Sequence, residues 1–435
     1  MTITWHSHPC QKIEGDISVP GDKSISHRSI MLGALAEGTT EVSGFLEGED
    51  CLATLRAFQA MGVPITHHGE GKVTIKGQGL YGLQAPKQAL DVGNSGTSMR
   101  LMAGVLAGQN FSSTLIGDQS LMKRPMRRVT QPLTQMGADI QTSETGTAPL
   151  VIHGKPLKGI DFQMSVASAQ LKSCLLLAGL YAKGETHIHE CGVSRDHSER
   201  MLRGFGVQIT QEKNTLSIVG GQSLKACNVM VPGDISSAAF FIVAALIAKE
   251  GSLRIQNVGI NPTRAAVIDI LQQMGGNIQL ENIREAGGEP VADLIVHASS
   301  LKGIHIPEAL VPIAIDEFPI LFIAAACAQG ETTANDLAEL RVKESDRLAA
   351  MEAGLKILNI DCETTQDSIH ITGGEFSGGT INSHGDHRIA MSFAIAALRS
   401  SAPIGILDCA NVATSFPNFQ TLTNHIGMQI EAQNA

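Results

Sequence analysis

The sequence predicts an α/β protein of two domains built from six repeated modules, and three observations carry that prediction. First, 435 residues exceed what one hydrophobic core usually organises, since cores stop growing at roughly 250 to 300 residues. Second, an amphipathic helical stretch, a small turn and a short strand recur as AFQAMGVPIT, PLTQMGADIQ, MLRGFGVQIT, ILQQMGGNIQL, GLKILNIDCET and TNHIGMQIEA, centred on Gly62, Gly137, Gly206, Gly275, Asn359 and Gly427. Glycine, or the asparagine that replaces it once, is what a helix needs just past its end, where the backbone turns left-handed before the next strand. Copies spaced by roughly 70 to 85 residues read as six similar αβ modules. Third, Ser18-Val19-Pro20-Gly21-Asp22-Lys23-Ser24 is echoed by Met230-Val231-Pro232-Gly233-Asp234-Ile235-Ser236. If the second copy opens the later three modules, residues 1–21 plus 232–435 form one discontinuous domain and residues 22–231 an inserted one. Two chain crossings then connect them, and such paired crossings often border a cleft, the default place for a ligand.

Composition narrows the function. With 43% apolar and 17% charged residues the chain folds rather than remaining disordered. One Trp and two Tyr leave little for stacking on single-stranded nucleic acid. A net charge of −10 repels polyanions, so any bound anion must meet a local cluster of Lys and Arg. The eight cysteines are scattered, with no C-x-x-C pair and no His at zinc spacing, so neither a disulfide framework nor a metal is expected. Met1 to Gly15 lacks an apolar core of signal-peptide length, and Ala238 to Ala248 is too short to span a bilayer. The expectation is a cytoplasmic protein without nucleic-acid or membrane partners.

Several motifs join cations to helix starts. Gly21-Asp22-Lys23-Ser24-Ile25-Ser26-His27-Arg28-Ser29 opens an apolar helix, where free N–H groups and the helix dipole favour an anion and Lys23 and Arg28 add full charges. A plain N-cap by Asp22 or Ser24 fits equally well. The run lacks Walker A glycine spacing, which disfavours a nucleotide triphosphatase. In Asp91-Val92-Gly93-Asn94-Ser95-Gly96-Thr97-Ser98-Met99-Arg100 the glycines let backbone approach a ligand and the Asn94 amide can donate to an anion; a capped turn is the alternative. Lys123-Arg124-Pro125-Met126-Arg127-Arg128 is either an anion site, with Pro125 stiffening the backbone beside Arg124, or a solvated basic face. In Ser165 to Lys172, Ser168, Gln170 and Lys172 could face a polar ligand, and Ser194 to Arg200 adds Arg195 beside another helix start. Arg341-Val342-Lys343-Glu344-Ser345-Asp346-Arg347 reads either as a surface helical ion pair between Glu344 and Arg347 or as an acid held beside substrate-binding cations. His384-Gly385-Asp386-His387-Arg388 repeats the theme, and Ile315-Asp316-Glu317-Phe318-Pro319 places two carboxylates in an apolar setting, which is costly without a purpose.

Taken in order, GDKS, GNSGT, SLMKRPM, SAQLK, NPTR (Asn261 to Arg264), IDEFP, RVKESDR and GDHRIAM resemble the 5-enolpyruvylshikimate-3-phosphate synthase family over essentially the whole chain. The resemblance implies an inside-out α/β barrel fold in two domains, each of three βαβαββ-like units, closing over substrate at the crossings. It implies that Lys23, Ser24, Arg28, Ser168, Gln170, Arg195, Asp316 and Lys343 hold shikimate 3-phosphate, and that Lys23, Asn94, Gly96, Arg124, Gln170, Arg347 and Arg388 hold phosphoenolpyruvate. Asp316 suits the base and Glu344 the acid, with Lys23 assisting. No metal or cofactor is implied, and the family expectation is a monomer. One departure stands out: where many members read A-K-T-F-P, this chain has Ala413-Thr414-Ser415-Phe416-Pro417, without the cation. SAQLK, RDHSE and NPTR match the glyphosate-tolerant branch of the family, a known herbicide target, although Gly96 replaces an Ala common in strongly tolerant members. Two rivals remain: the sister transferase acting on UDP-N-acetylglucosamine, whose loop Cys is missing from Gly117 to Met126, and a non-catalytic anion-binding module, which leaves Asp316 and Glu344 unexplained.

Overall fold

The computed structural model describes residues 3–434, which divide into two compact units. One comprises residues 21–231 with 286–288, the other the described residues up to 20, 232–285 and 289 onward. Gly21 falls with the inserted unit, where a Cβ would lie 1.8 Å from the Gly44 carbonyl oxygen and 3.0 Å from a Val231 methyl. Only glycine fits so close a backbone approach.

The inserted unit contains α1 (Lys23–Leu35), α2 (Glu49–Ala60), α3 (Gly96–Ala107), α4 (Arg127–Gln135), α5 (Ala169–Gly179) and α6 (His197–Gly204). The odd-numbered helices are mostly buried and pack on one another, α1 against α3 and α3 against α5. Each starts on a side-chain cap: Asp22 accepts from the Ile25 N–H, Ser95 from Ser98 and Ser168 from Leu171. The sheets show why the unit repeats. Leu90–Asp91 lies parallel to Ser112–Ile116, which is antiparallel to Leu150–His153, with Asp139–Gln141 beyond. Asp161–Gln163, Glu185–His189, Thr215–Val219 and Ile209–Glu212 repeat that order and those directions. In the third sheet Ala36–Ser43, Lys72–Gln78 and Ile65–Gly69 follow suit, but the leading parallel strands, Leu224–Lys225 and Val229–Met230, come from the unit's far end. Each module is therefore strand, buried helix, strand, amphipathic helix and two strands.

The other unit contains α7 (Ile235–Ile247), α8 (Ala266–Gln273), α9 (Val311–Ala314), α10 (Phe318–Ala326), α11 (Arg347–Ile357), α12 (His387–Ala396) and α13 (Phe419–His425). Every residue of α7 and α10 is buried, and α7, α10 and α12 pack together. Asp234 and Asp386 cap α7 and α12, and Pro319 occupies the first turn of α10, where its missing N–H costs nothing. Lys12–Ser18 pairs in parallel with Glu250–Gly259, so the insertion separates a leading strand from its module. Gly379–Asn382, Ile404–Leu407, Ile3–Ser7 and Ile430–Asn434 form another sheet, in which the chain's first described strand completes the last module.

Side chains alternate across these strands: Leu150 and Ile152 are buried while Val151 and His153 are partly exposed. The buried helices thus form each unit's interior, with sheets outside them. All six repeat centres adopt the left-handed backbone, from Asn359 at φ 65° to Gly427 at φ 105°, each one residue past the C-cap of an even-numbered helix, α11 or α13. Among the described residues no helix is long and apolar enough to cross a membrane.

Candidate active site

In the inserted unit the motif residues gather at the N-terminal ends of α1, α3 and α5. Lys23 Nζ lies 2.5 Å from Asp50 Oδ2, on α2, which holds the half-buried amine in place. Arg28 is 4% exposed; its guanidinium donates to Ser198 Oγ at 2.7 Å, Ser173 Oγ at 2.7 Å and the Ser24 carbonyl at 2.9 Å, tying α1 to α5 and α6. Arg124 donates to Asn94 Oδ1 at 2.7 Å, and Asn94 Nδ2 donates to Asp118 at 2.6 Å. The Asn94 amide therefore orients Arg124 and spends one donor on Asp118. Arg100 donates to Gln170 Oε1 at 2.7 Å and to the Pro125 carbonyl at 3.2 Å, while Gln170 Nε2 donates to Thr97 Oγ1 at 3.0 Å. Gly96 lies inside this group: a Cβ there would stand 2.7 Å from Arg100 and 3.4 Å from Arg124.

Behind these groups lies His27, wholly buried. Nδ1 is 2.8 Å from Thr54 Oγ1 and 3.2 Å from Ser98 Oγ, and Nε2 is 3.4 Å from Ser95 Oγ. Burial, then Lys23, then Arg28 drive its pKa well below the usual 6.5, so it is a neutral bridge from α1 to the α3 cap.

In the other unit the motifs meet around Arg347, whose side chain is 1% exposed. Its guanidinium lies 2.8 Å from Asp386, 2.6 Å from Glu344 and 3.7 Å from Asp316. Lys343 Nζ is 3.3 Å from Asp316. Arg388 donates to the Asp316 carbonyl at 2.8 Å and lies 3.5 Å from Glu317, which also accepts from Ser236 and sits 3.7 Å from Arg264. Burial alone would raise the Asp386 carboxyl, but the Arg347 charge and hydrogen bond outweigh it and hold the pKa below the ordinary 3.8. Asp316 and Glu344, by contrast, stay half-buried. Either carboxylate could exchange a proton with a bound ligand while Arg347 holds an anion.

Three readings of the sequence change. Lys172 does not face a ligand: its side chain is 1% exposed and paired with Glu190 and Glu199. Glu344 and Arg347 are not a surface helical pair, because α11 begins at Arg347 and Glu344 belongs to the turn before it. Of the basic run, Arg124 is drawn inward, whereas Lys123, Arg127 and Arg128 are exposed. The sequence reading also passed over Asp50, Arg100 and His27. Arg100 ends a quoted motif, so its charge was in view there, whereas Asp50 belongs to no quoted motif and its partner lies on another helix; His27 looks like any polar residue on an apolar helix. Thr414, at the position where the resemblance implied a cation, donates to the Asn411 carbonyl at 2.7 Å. Among the described residues no group of three or more His, Cys, Asp or Glu could hold a metal ion.

Modules of this βαβαββ type, with cations and two carboxylates placed at helix starts, match what the resemblance to the enolpyruvyl transferase class implied. The particular family follows from comparison with known proteins. Residues 8–422 match the family described as EPSP synthase (3-phosphoshikimate 1-carboxyvinyltransferase), and the chain belongs to it. A 3-phosphoshikimate 1-carboxyvinyltransferase of Methylococcus capsulatus is 59% identical over 430 residues, covering 99% of this chain and 98% of the relative. One from Alkalilimnicola ehrlichii is 57% identical over 435 residues, covering 100% and 98%. An EPSP synthase structure from Acinetobacter baumannii superposes with a TM-score of 0.91 at 55% identity, covering 99% of this chain and 100% of that one.

Proposed function

We propose that this protein transfers the 1-carboxyvinyl group of phosphoenolpyruvate to the 5-hydroxyl of shikimate 3-phosphate, releasing phosphate and 5-enolpyruvylshikimate 3-phosphate in the pathway to chorismate and the aromatic amino acids. The observation that carries this reading is the pairing of both Asp316 and Glu344 with buried Arg347, at 3.7 and 2.6 Å. Addition–elimination needs an anion-binding cation flanked by a base and an acid.

In this proposal Asp316 takes the proton from the 5-hydroxyl as that oxygen attacks C2, and Glu344 delivers a proton to C3, leaving a tetrahedral ketal. Collapse of the ketal breaks the C2–O bond to phosphate and returns the C3 proton, which restores the vinyl group. Arg124, Arg347 and Arg388 offset the charge of phosphoenolpyruvate, with Asn94, Gly96 and Gln170 lining its site. Ser24, Arg28, Ser168, Gln170, Arg195 and Lys343 hold the phosphorylated acceptor. Lys23, paired with Asp50, neutralises charge as phosphate leaves. The protein works as a monomer in the cytoplasm, a compartment in keeping with eight free cysteines. Comparative tolerance of glyphosate belongs to the same proposal; tight competition with phosphoenolpyruvate in an inhibition titration would count against it.

Replacing each carboxylate by its amide tests the assignment. Asp316→Asn and Glu344→Gln should each lower kcat by about 10²- to 10⁴-fold while substrate binding, followed calorimetrically, changes far less. A binding module would show no turnover to lose.

A further inference from the structure

Lys172 lies one helical turn beyond Ser168, yet its amine is turned to two carboxylates. Its side chain is 1% exposed, and a buried ammonium is expensive unless something depends on it. Nζ lies 2.6 Å from Glu199 Oε1 on α6, 2.9 Å from Glu190 Oε1 and 3.4 Å from the Ser194 carbonyl. Glu190 Oε1 also accepts from Ser194 Oγ at 2.7 Å. One nitrogen thus joins α5, the end of strand Glu185–His189 and the start of α6.

The segment gripped in this way has no regular structure of its own. Residues 191–196 form neither helix nor strand, and Cys191, Gly192 and Val193 are exposed, so no apolar packing fixes their path. Arg195 is the next residue after Ser194. At the other end Ser168 caps α5, the helix that carries Lys172.

We propose that Lys172 is a positioning residue that locks the Ser194–Arg195 segment against α5, so that Arg195 and Ser168 are presented together to the phosphorylated acceptor. This rests on the function proposed above. Burial raises the Glu199 carboxyl and the Lys172 charge opposes that rise, which fits a pair kept for geometry rather than for strength.

The test is the Lys172→Met/Glu190→Gln/Glu199→Gln triple variant, which removes the ammonium together with both carboxylates it pairs with, so that none of the three charges is stranded. With folding checked by circular dichroism, the KM and calorimetric Kd for shikimate 3-phosphate should rise about tenfold, while kcat and the phosphoenolpyruvate KM stay within about twofold. Should that protein not fold, Glu190→Gln, which loosens the Ser194 tie but leaves Lys172 with Glu199, is expected to give the same selective rise to a smaller degree. A folded variant with wild-type acceptor affinity, or with both KM values rising equally, would overturn the proposal. Wild-type protein that releases no phosphate would instead overturn the underlying function.

Discussion

Asp386 is wholly buried, and its two oxygens serve Arg347 Nε at 2.8 Å, Ser345 Oγ at 3.0 Å and the Arg388 N–H at 2.9 Å. One carboxylate thereby sets two arginines assigned to phosphoenolpyruvate, one through its side chain and one through its helix cap. Asp386→Asn should raise the phosphoenolpyruvate KM more than that of the acceptor, and cost about 1 to 3 kcal/mol in urea unfolding because a buried guanidinium loses one of its three carboxylate partners. His27 makes a pH prediction. Its folded pKa lies below 6.5, so the unfolded chain takes up a proton that the folded protein refuses. The resulting stability is present above about pH 6.5 and is lost as pH falls through the folded pKa. Melting temperature should fall across that window, and His27→Asn should flatten the decline; an unchanged slope would show that His27 is already protonated or solvated. At this scale the sequence revealed the charged groups and not their partners. Lys23 and Arg124 announce themselves as cations, whereas Asp50, Asn94 and Arg100 matter through contacts across 24 to 70 residues, which spacing along one helix cannot disclose.

The recurring helix, left-handed turn and strand is a local signal, which is why the modules could be read. Asn359, at φ 65°, ends α11 as glycine ends its counterparts. Asn tolerates this conformation and Ala does not, so Asn359→Ala should cost about 1 to 2 kcal/mol and Asn359→Gly well under 1, measured by thermal denaturation. The buried helices were harder to place. α7 and α10 are apolar on every side, so no periodicity marks them, and only the capping motif in front shows where a helix begins. Those same caps were read as anion sites, and a capped helix start can serve both ends: Ser168 accepts from the Leu171 N–H at 3.4 Å and is also assigned to the acceptor.

Across the whole chain, closure of the modules depends on strands far apart in sequence. Ile3–Ser7 pairs with Ile404–Leu407 and Ile430–Asn434, and Lys12–Ser18 with Glu250–Gly259. The Pro-Gly-Asp echo pointed to the insertion, but pairing over such distances leaves no local trace. Trp5, the sole tryptophan, stacks on Phe419 with centroids 5.6 Å apart, so its fluorescence should report unfolding of the discontinuous unit alone; a Trp5 signal that tracked loss of the inserted unit would contradict this. The most direct test of the central claim is phosphate release from purified protein given phosphoenolpyruvate with shikimate 3-phosphate, or with UDP-N-acetylglucosamine as control acceptor, a chelator being present throughout. Release is expected with shikimate 3-phosphate only, at a rate the chelator does not change. Release that requires the other acceptor, or none with either, would contradict it.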